Sequence, residues 1–419
     1  SYVGWQFKKK EKFFDIVTVN TGNTTNTRHS HNLGSRPHFI IGKSLNGTAP
    51  WYSYSEAIGK DKHVRLNGTN AATTTSNIWG TADPTDTDFG VNDSGSGFGN
   101  YGAMVYYLFA DNSAEDADDQ MIKCEKYTGN GSTTGPVINL GWEPQFILIK
   151  RTDATGDWNI FDTMRGLHVG SDDKYLLANT NQVDESYDFI ETTSTGFQLK
   201  VDASEVNASN GVYIYMAIRA PMMKKPEAAT DVFAISTVAG GQYTSVGFAP
   251  DNVIFTNTTQ SSGTRYITSR LTGKKQLRGN TNSAEGSLNV DWDAPSGTWK
   301  EAQDSANINF FWKRAKGFHD VVAYSGTGAA HTEAHSLGVV PEMMWVKKRS
   351  STGSACLYHK DFPIDSHIFA WDDSTGIRHV DSVWNDTAPT DSVFSVKTYA
   401  GVNNASHKYV AHLWATLAG

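Results

Sequence analysis

Leu140-Gly141-Trp142-Glu143-Pro144-Gln145-Phe146-Ile147-Leu148-Ile149-Lys150 decides the fold, because the chain writes this pattern four times. A Gly with a Pro three residues on recurs at Gly34 and Pro37, at Gly247 and Pro250, and at Gly338 and Pro341. Successive glycines lie 107, 106 and 91 residues apart. Behind each Pro comes an apolar run: Phe39-Ile40-Ile41, Phe146-Ile147-Leu148-Ile149, Val253-Ile254-Phe255 and Met343-Met344-Trp345-Val346. Six residues after Pro stands Lys43, Lys150 or Lys347, with Thr256 in the third copy. Gly relieves a turn that needs positive φ, and Pro enters a strand where a donor can be given up. A run apolar on both faces reads as a central strand covered on each side, and the lysine as its exit to solvent. Self-similarity at this period makes the chain a tandem array.

Other blocks repeat around this one. Each copy closes on an apolar strand: Val105-Tyr106-Tyr107-Leu108-Phe109, Tyr213-Ile214-Tyr215-Met216-Ala217, Ile308-Asn309-Phe310-Phe311-Trp312 and Tyr409-Val410-Ala411-His412-Leu413-Trp414. Asn207-Ala208-Ser209 and Asn404-Ala405-Ser406 precede two of them and read as hairpin turns, with glycosylation of such triplets as the alternative. Trp79 to Phe89 and Trp384 to Phe394 enclose matching Ala-Pro-Thr-Asp residues, and Phe13-Phe14-Asp15-Ile16-Val17 matches Phe318-His319-Asp320-Val321-Val322. The predicted copies are 13–116, 117–221, a diverged 222–314, and 315–419, with joints at Glu115 to Asp119 and Pro221 to Pro226. Residues 1–12 read as the end of a preceding copy, Ser1-Tyr2-Val3-Gly4-Trp5 resembling a closing strand, so that the sequence reads as part of a longer protein. About eight short strands in ~100 residues is the size of a two-sheet sandwich. Propeller blades are half as long. The expected fold is all-β: four homologous jelly-roll or lectin-like β-sandwich domains on a string.

Composition agrees. There are 20 Phe, 17 Tyr and 12 Trp against 19% charged residues, too aromatic for a disordered chain. The net charge of −8 argues against nucleic acid as a partner. No apolar run reaches the ~20 residues that span a bilayer, so membrane insertion is not expected. Lys8-Lys9-Lys10 and Lys347-Lys348-Arg349 read as solvated charges. Cys124 and Cys356 fall at non-equivalent places and read as free thiols of a chain assembled in a reducing cytoplasm.

Chemistry is scarce. The sequence has no Gly-x-Ser-x-Gly elbow, phosphate-cradling loop or His-Glu-x-x-His, and the expectation is no enzyme, no cofactor and no metal. Asp153 and Asp157 around Gly156 read as a turn over a calcium loop, which needs more carboxylates. His31 and His335 share a slot that holds Ile138 and Thr244 elsewhere, so they read as structural. Trp51, Tyr52 and Trp158 follow the central strand and its loop. Exposed, they could stack on sugar rings, and they are the candidate glycan-binding residues; the alternative is that they pack the interior.

Tyr127-Thr128-Gly129-Asn130-Gly131, Gly141 to Phe146, and Lys150-Arg151-Thr152-Asp153 with Gly156-Asp157-Trp158 together resemble a repeat domain of marine bacteriophage tail-fibre-like and other virion structural proteins. So do Trp384-Asn385-Asp386-Thr387-Ala388-Pro389-Thr390 and the Asn207 turn leading to Tyr213. The resemblance covers nearly the whole chain, least over 222–314, and brings no catalytic residues. It implies a virion protein assembled in the host cytoplasm: a tail fibre or appendage acting as spacer and host adhesin. Its expected partners are other virion proteins, further copies in a homo-oligomer such as a trimer, and a host surface glycan or protein. The alternatives are a capsid-decoration or head-fibre protein without a receptor, and a glycan-degrading tailspike.

Overall fold

The computed structural model describes residues 3–416 except 21–25, 76–77, 93–101, 117–118, 168, 171–172, 221–224, 239–242, 258–263, 289, 293–298, 302–306, 365–366, 370–376 and 380–382. It is all-β, with only three short 3-10 turns among the described residues.

One sheet order is built four times. In the first copy it runs Phe14–Asn20, Ala103–Phe109, Phe39–Ser44, Tyr52–Ser55, Lys62–Arg65, Thr73–Thr74. The opening strand thus pairs with the closing strand, the closing strand with the central one, and the chain then steps outward through antiparallel neighbours. The second copy repeats the order from Ile122–Thr128 and Val212–Arg219 to Pro144–Arg151 and three strands beyond. The fourth repeats it from His319–Ser325, Lys408–Trp414 and Met343–Lys348. The diverged third copy keeps it as well, from Phe233–Val238, Asn307–Trp312 and Asn252–Asn257. A smaller sheet of two or three strands accompanies each, such as Thr27–Ser30 with Asp88–Val91. The repeat glycines carry the positive φ that their turns demand: 69° at Gly34, 84° at Gly141, 86° at Gly247 and 71° at Gly338.

Alternation along the central strand sends side chains to two different cores. In the second copy Ile147 and Ile149 join Tyr213, Tyr215, Phe197 and Leu199 under the small sheet. Phe146, Leu148, Ile214 and Met216 point the other way, into one cluster with Phe39, Phe109 and Val64 of the first copy. Third and fourth copies meet likewise, Leu271 and Leu277 against Val321 and Val410, and Ile267 against Trp345. Burying each such side chain contributes about 1.5–3 kcal/mol. The expected all-β tandem array stands; what differs is its packing, because the copies are fused in pairs, main sheet to main sheet. A sheet buried on both faces needs apolar residues on both, which is why the central runs do not alternate with polar ones.

Two smaller expectations also change. Residues 3–9 form no strand; Trp5 and Phe7 lie instead across the first pair, Trp5 against Phe146 and Phe7 against Phe14, Phe109 and Phe146. Ser1 and Tyr2 fall outside the described residues. The counterpart of Asn207 is Asn403, one residue before the Asn404 turn that the sequence suggests. Both are fully buried, and each donates its amide to two loop carbonyls, Asn207 to Val201 and Ser132 and Asn403 to Ala329 and Lys397. The buried amide of Asn207 is no glycan acceptor; the left-handed residues of these turns are Asn210 and Ser406.

Candidate functional site

The three candidate glycan residues do not form a surface. Trp158 is 1% exposed, edge-on to Phe39 of the first copy at 6.1 Å, with its indole N–H donated to the Arg65 carbonyl at 2.8 Å. Tyr52 is buried against His63. Trp51 alone stays half-buried, with the Lys43 ammonium 5.7 Å over its ring. The first two are corrected to core residues: Trp158 shares the Lys150 face and packs on the first copy, whereas Tyr52, paired with Gly42, lies on the face that its own copy covers.

The polar residues worth attention sit at the joints. Lys150 is fully buried, and its ammonium donates to Thr69 O of the first copy at 3.1 Å and to Gly156 O at 2.8 Å. Lys347 does the same in the second pair, with Thr281 O and Gly353 O. Flanking backbone bonds repeat too, Gly156 N–H to Thr69 O beside Gly353 N–H to Asn282 O. These lysines staple copies together rather than lead to solvent, and Lys348 and Arg349 are buried as well; Lys8, Lys9 and Lys10 are exposed as expected. Burial pushes the Lys150 ammonium down to about 8, against the pull of Asp157.

The pairs meet at Arg314. Its guanidinium takes both oxygens of Glu143 (2.8 and 2.7 Å) and Oδ1 of Asp320 at 2.7 Å, and its backbone N–H donates to Asp251 at 2.9 Å. Second, third and fourth copies thus share one buried ionic knot. Burial opposes the Arg314 charge, but Glu143 and Asp320 outweigh it and hold the group above its ordinary pKa. Burial raises Glu143 despite Arg314. The same device exists half-built in the first copy. Asp15 accepts the N–H groups of Ile16 and Asn32, as Asp320 accepts those of Val321 and Ser336. There an exposed Lys9, at 2.8 Å, stands where Arg314 stands. Farther along the joint Lys408 pairs with Glu191 at 2.6 Å, and Arg349 donates to the Val169 carbonyl at 2.7 Å.

A family described as "Domain of unknown function (DUF7483)" matches residues 8–221 and 291–419. The chain belongs to that DUF7483 family. Its first matched stretch spans the first pair of copies with the Trp5–Lys9 segment's end, and the second spans the end of the third copy and all of the fourth. Comparison with curated proteins gives no match.

A cleft of about 100 Å³ opens beside the knot of this DUF7483 chain, lined among others by Glu143, Gln145, Thr163, Arg270 and Lys313. Glu143 and Asp320 are both bonded to Arg314, and Asp320 to two backbone N–H groups besides, so the arrangement holds surfaces together. Asp153 is bonded by Arg151 and Asp157 by Asn179, each on its own, and no group of three His, Cys, Asp or Glu suited to a metal occurs among the described residues. His31 and His335 are locked alike: Nδ1 accepts the N–H of Leu33 or Leu337, and Nε2 meets the Thr85 or Thr390 carbonyl. No helix among the described residues is long and apolar enough to cross a membrane. Sequence reading missed Glu143 and Arg314. The one available signal was charge placed inside the Gly-x-x-Pro turn and directly after an apolar closing strand.

Proposed function

We propose that this chain is a non-catalytic spacer of a bacteriophage virion, in a tail fibre or similar appendage, assembled with other virion proteins and with further copies of itself. The observation that carries the reading is the joint chemistry: buried lysine staples within each pair and the Arg314 knot between pairs. A spacer must transmit force without bending at its joints, and ion pairs satisfied in a dry environment fix one geometry. The sequence resemblance supplies the virion context. Host adhesion is a further part of the proposal, through weak surface contacts multiplied by copy number. Labelling purified particles with antibody against the chain tests it: signal along a tail appendage supports the reading, whereas signal on the capsid, or on no particle, removes it. Adsorption of the purified assembly to host cells tests the adhesive part separately.

A further inference from the structure

We propose that the groove between the third and fourth copies binds an extended segment of another polypeptide carrying aromatic residues two positions apart. The two pairs are built alike, so each wall of the groove has a counterpart fixed by strand register. Phe14 and Phe109 of the first pair correspond to Phe233 and Trp312, paired in the same way. Phe146 and Ile218 correspond to Met343 and Trp414. In the first pair this groove is filled: Trp5 and Phe7, two residues apart, lie on Phe146, Phe14 and Phe109, and Lys9 caps the Ile16 carbonyl beside them. There Phe14 and Phe109 are 3% exposed and Phe146 8%. In the second pair Phe233, Trp312, Met343 and Trp414 are all half-exposed. Ile235, the counterpart of Ile16, is 58% exposed on an edge strand.

The filled groove therefore shows what the open one accepts: an extended backbone with ring, spacer, ring. The occupant comes from another polypeptide because this chain's own such segment is committed. Moving it would uncover as many rings in the first pair as it covered in the second, with no net burial. His359 stands where Asp162 accepts the Trp5 indole N–H at 3.2 Å, so an imidazole replaces the carboxylate as the polar contact.

The test titrates a fluorescent peptide of the sequence Ser1–Lys10 with the full chain and follows anisotropy. Saturable one-to-one binding is expected, weakened about tenfold or more, roughly 1.4 kcal/mol or beyond, by Ile235→Lys in the protein or by Trp5→Ala with Phe7→Ala in the peptide. Ile235 is a surface position, so that variant folds, which circular dichroism checks. Absence of saturation, or equal binding by the Ile235→Lys chain or the alanine peptide, overturns the proposal. Self-association of the chain that Ile235→Lys abolishes overturns it too, assigning the groove to a second copy.

Discussion

The ammonium of Lys150 lies wholly inside the protein, 3.1 Å from the carbonyl oxygen of Thr69, 81 residues earlier in the chain. A buried lysine costs desolvation, which its two carbonyl partners and the pull of Asp157 offset only in part. Lys150→Met removes both bonds and leaves two carbonyls with one partner fewer. It should destabilise the first pair by about 1–3 kcal/mol, whereas Lys43→Met, at the half-exposed counterpart, should change stability far less. Urea unfolding of the two variants checks the contrast.

The same lysine has a pH signature. Its folded pKa, about 8, lies below the ordinary 10.5. The unfolded chain thus binds more protons between those values, and this group's contribution to stability rises as pH climbs from 8 to 10.5. Lys150→Met should flatten that rise in a series of unfolding midpoints.

At the joint between pairs, Arg314→Met leaves Glu143 and Asp320 buried without their counter-ion. Removing one member of a buried pair costs about 3–5 kcal/mol. Glu143→Gln should cost less, because Asp320 still neutralises the guanidinium. Thermal unfolding should show Arg314→Met as the larger loss, and small-angle scattering should show its pairs swinging apart. An unchanged scattering profile would mean that the apolar contacts of the joint alone hold the pairs in place.

The repeat glycines were legible because a turn's φ is a local property, and all four have the conformation that the sequence demands. That the four copies share one fold followed from the repeat; the order of strands within each sheet did not. What covered the outer face of each main sheet was not legible, because periodicity gives the phase of a side chain and never its neighbour. Phe146, Leu148 and Lys150 share one face by simple alternation, and that phase put the lysine with the buried residues. Reading it as an exit to solvent assumed that the face ended there. Trp158 misled for the same reason, since an aromatic after a polar loop is equally a surface platform or a wedge between copies. The Arg314 knot joins residues 171 positions apart, beyond the reach of any local signal.

Acid should begin to loosen the protein as pH falls below 6.5. Burial holds His29, His31 and His335 below the ordinary value, His63 at about 4 and His319 at about 3. These rings fold neutral, so their contribution is complete above pH 6.5 and is lost as pH falls from there toward 3. Asp15 and Asp88, the latter at about 2, are lost only at lower pH. His319→Phe is the informative variant, because Phe14 fills the same position in the first copy. Its stability should fall less steeply between pH 6 and 4 than that of the parent, measured by denaturant midpoints.

Trp51 and Trp158 separate packing from adhesion. Trp158→Ala opens a cavity between the first two copies and gives up the bond to Arg65, so it should cost about 3–5 kcal/mol. Any accompanying loss of adhesion would then follow unfolding. Trp51→Ala touches a half-exposed ring and should stay within about 1 kcal/mol of the parent. If an aromatic of this set stacks on a host glycan, it is Trp51, the one of the three that is not buried. The expected result is a folded Trp51→Ala chain with weakened retention on immobilised host polysaccharide. Full retention would move any carbohydrate contact away from these aromatics altogether.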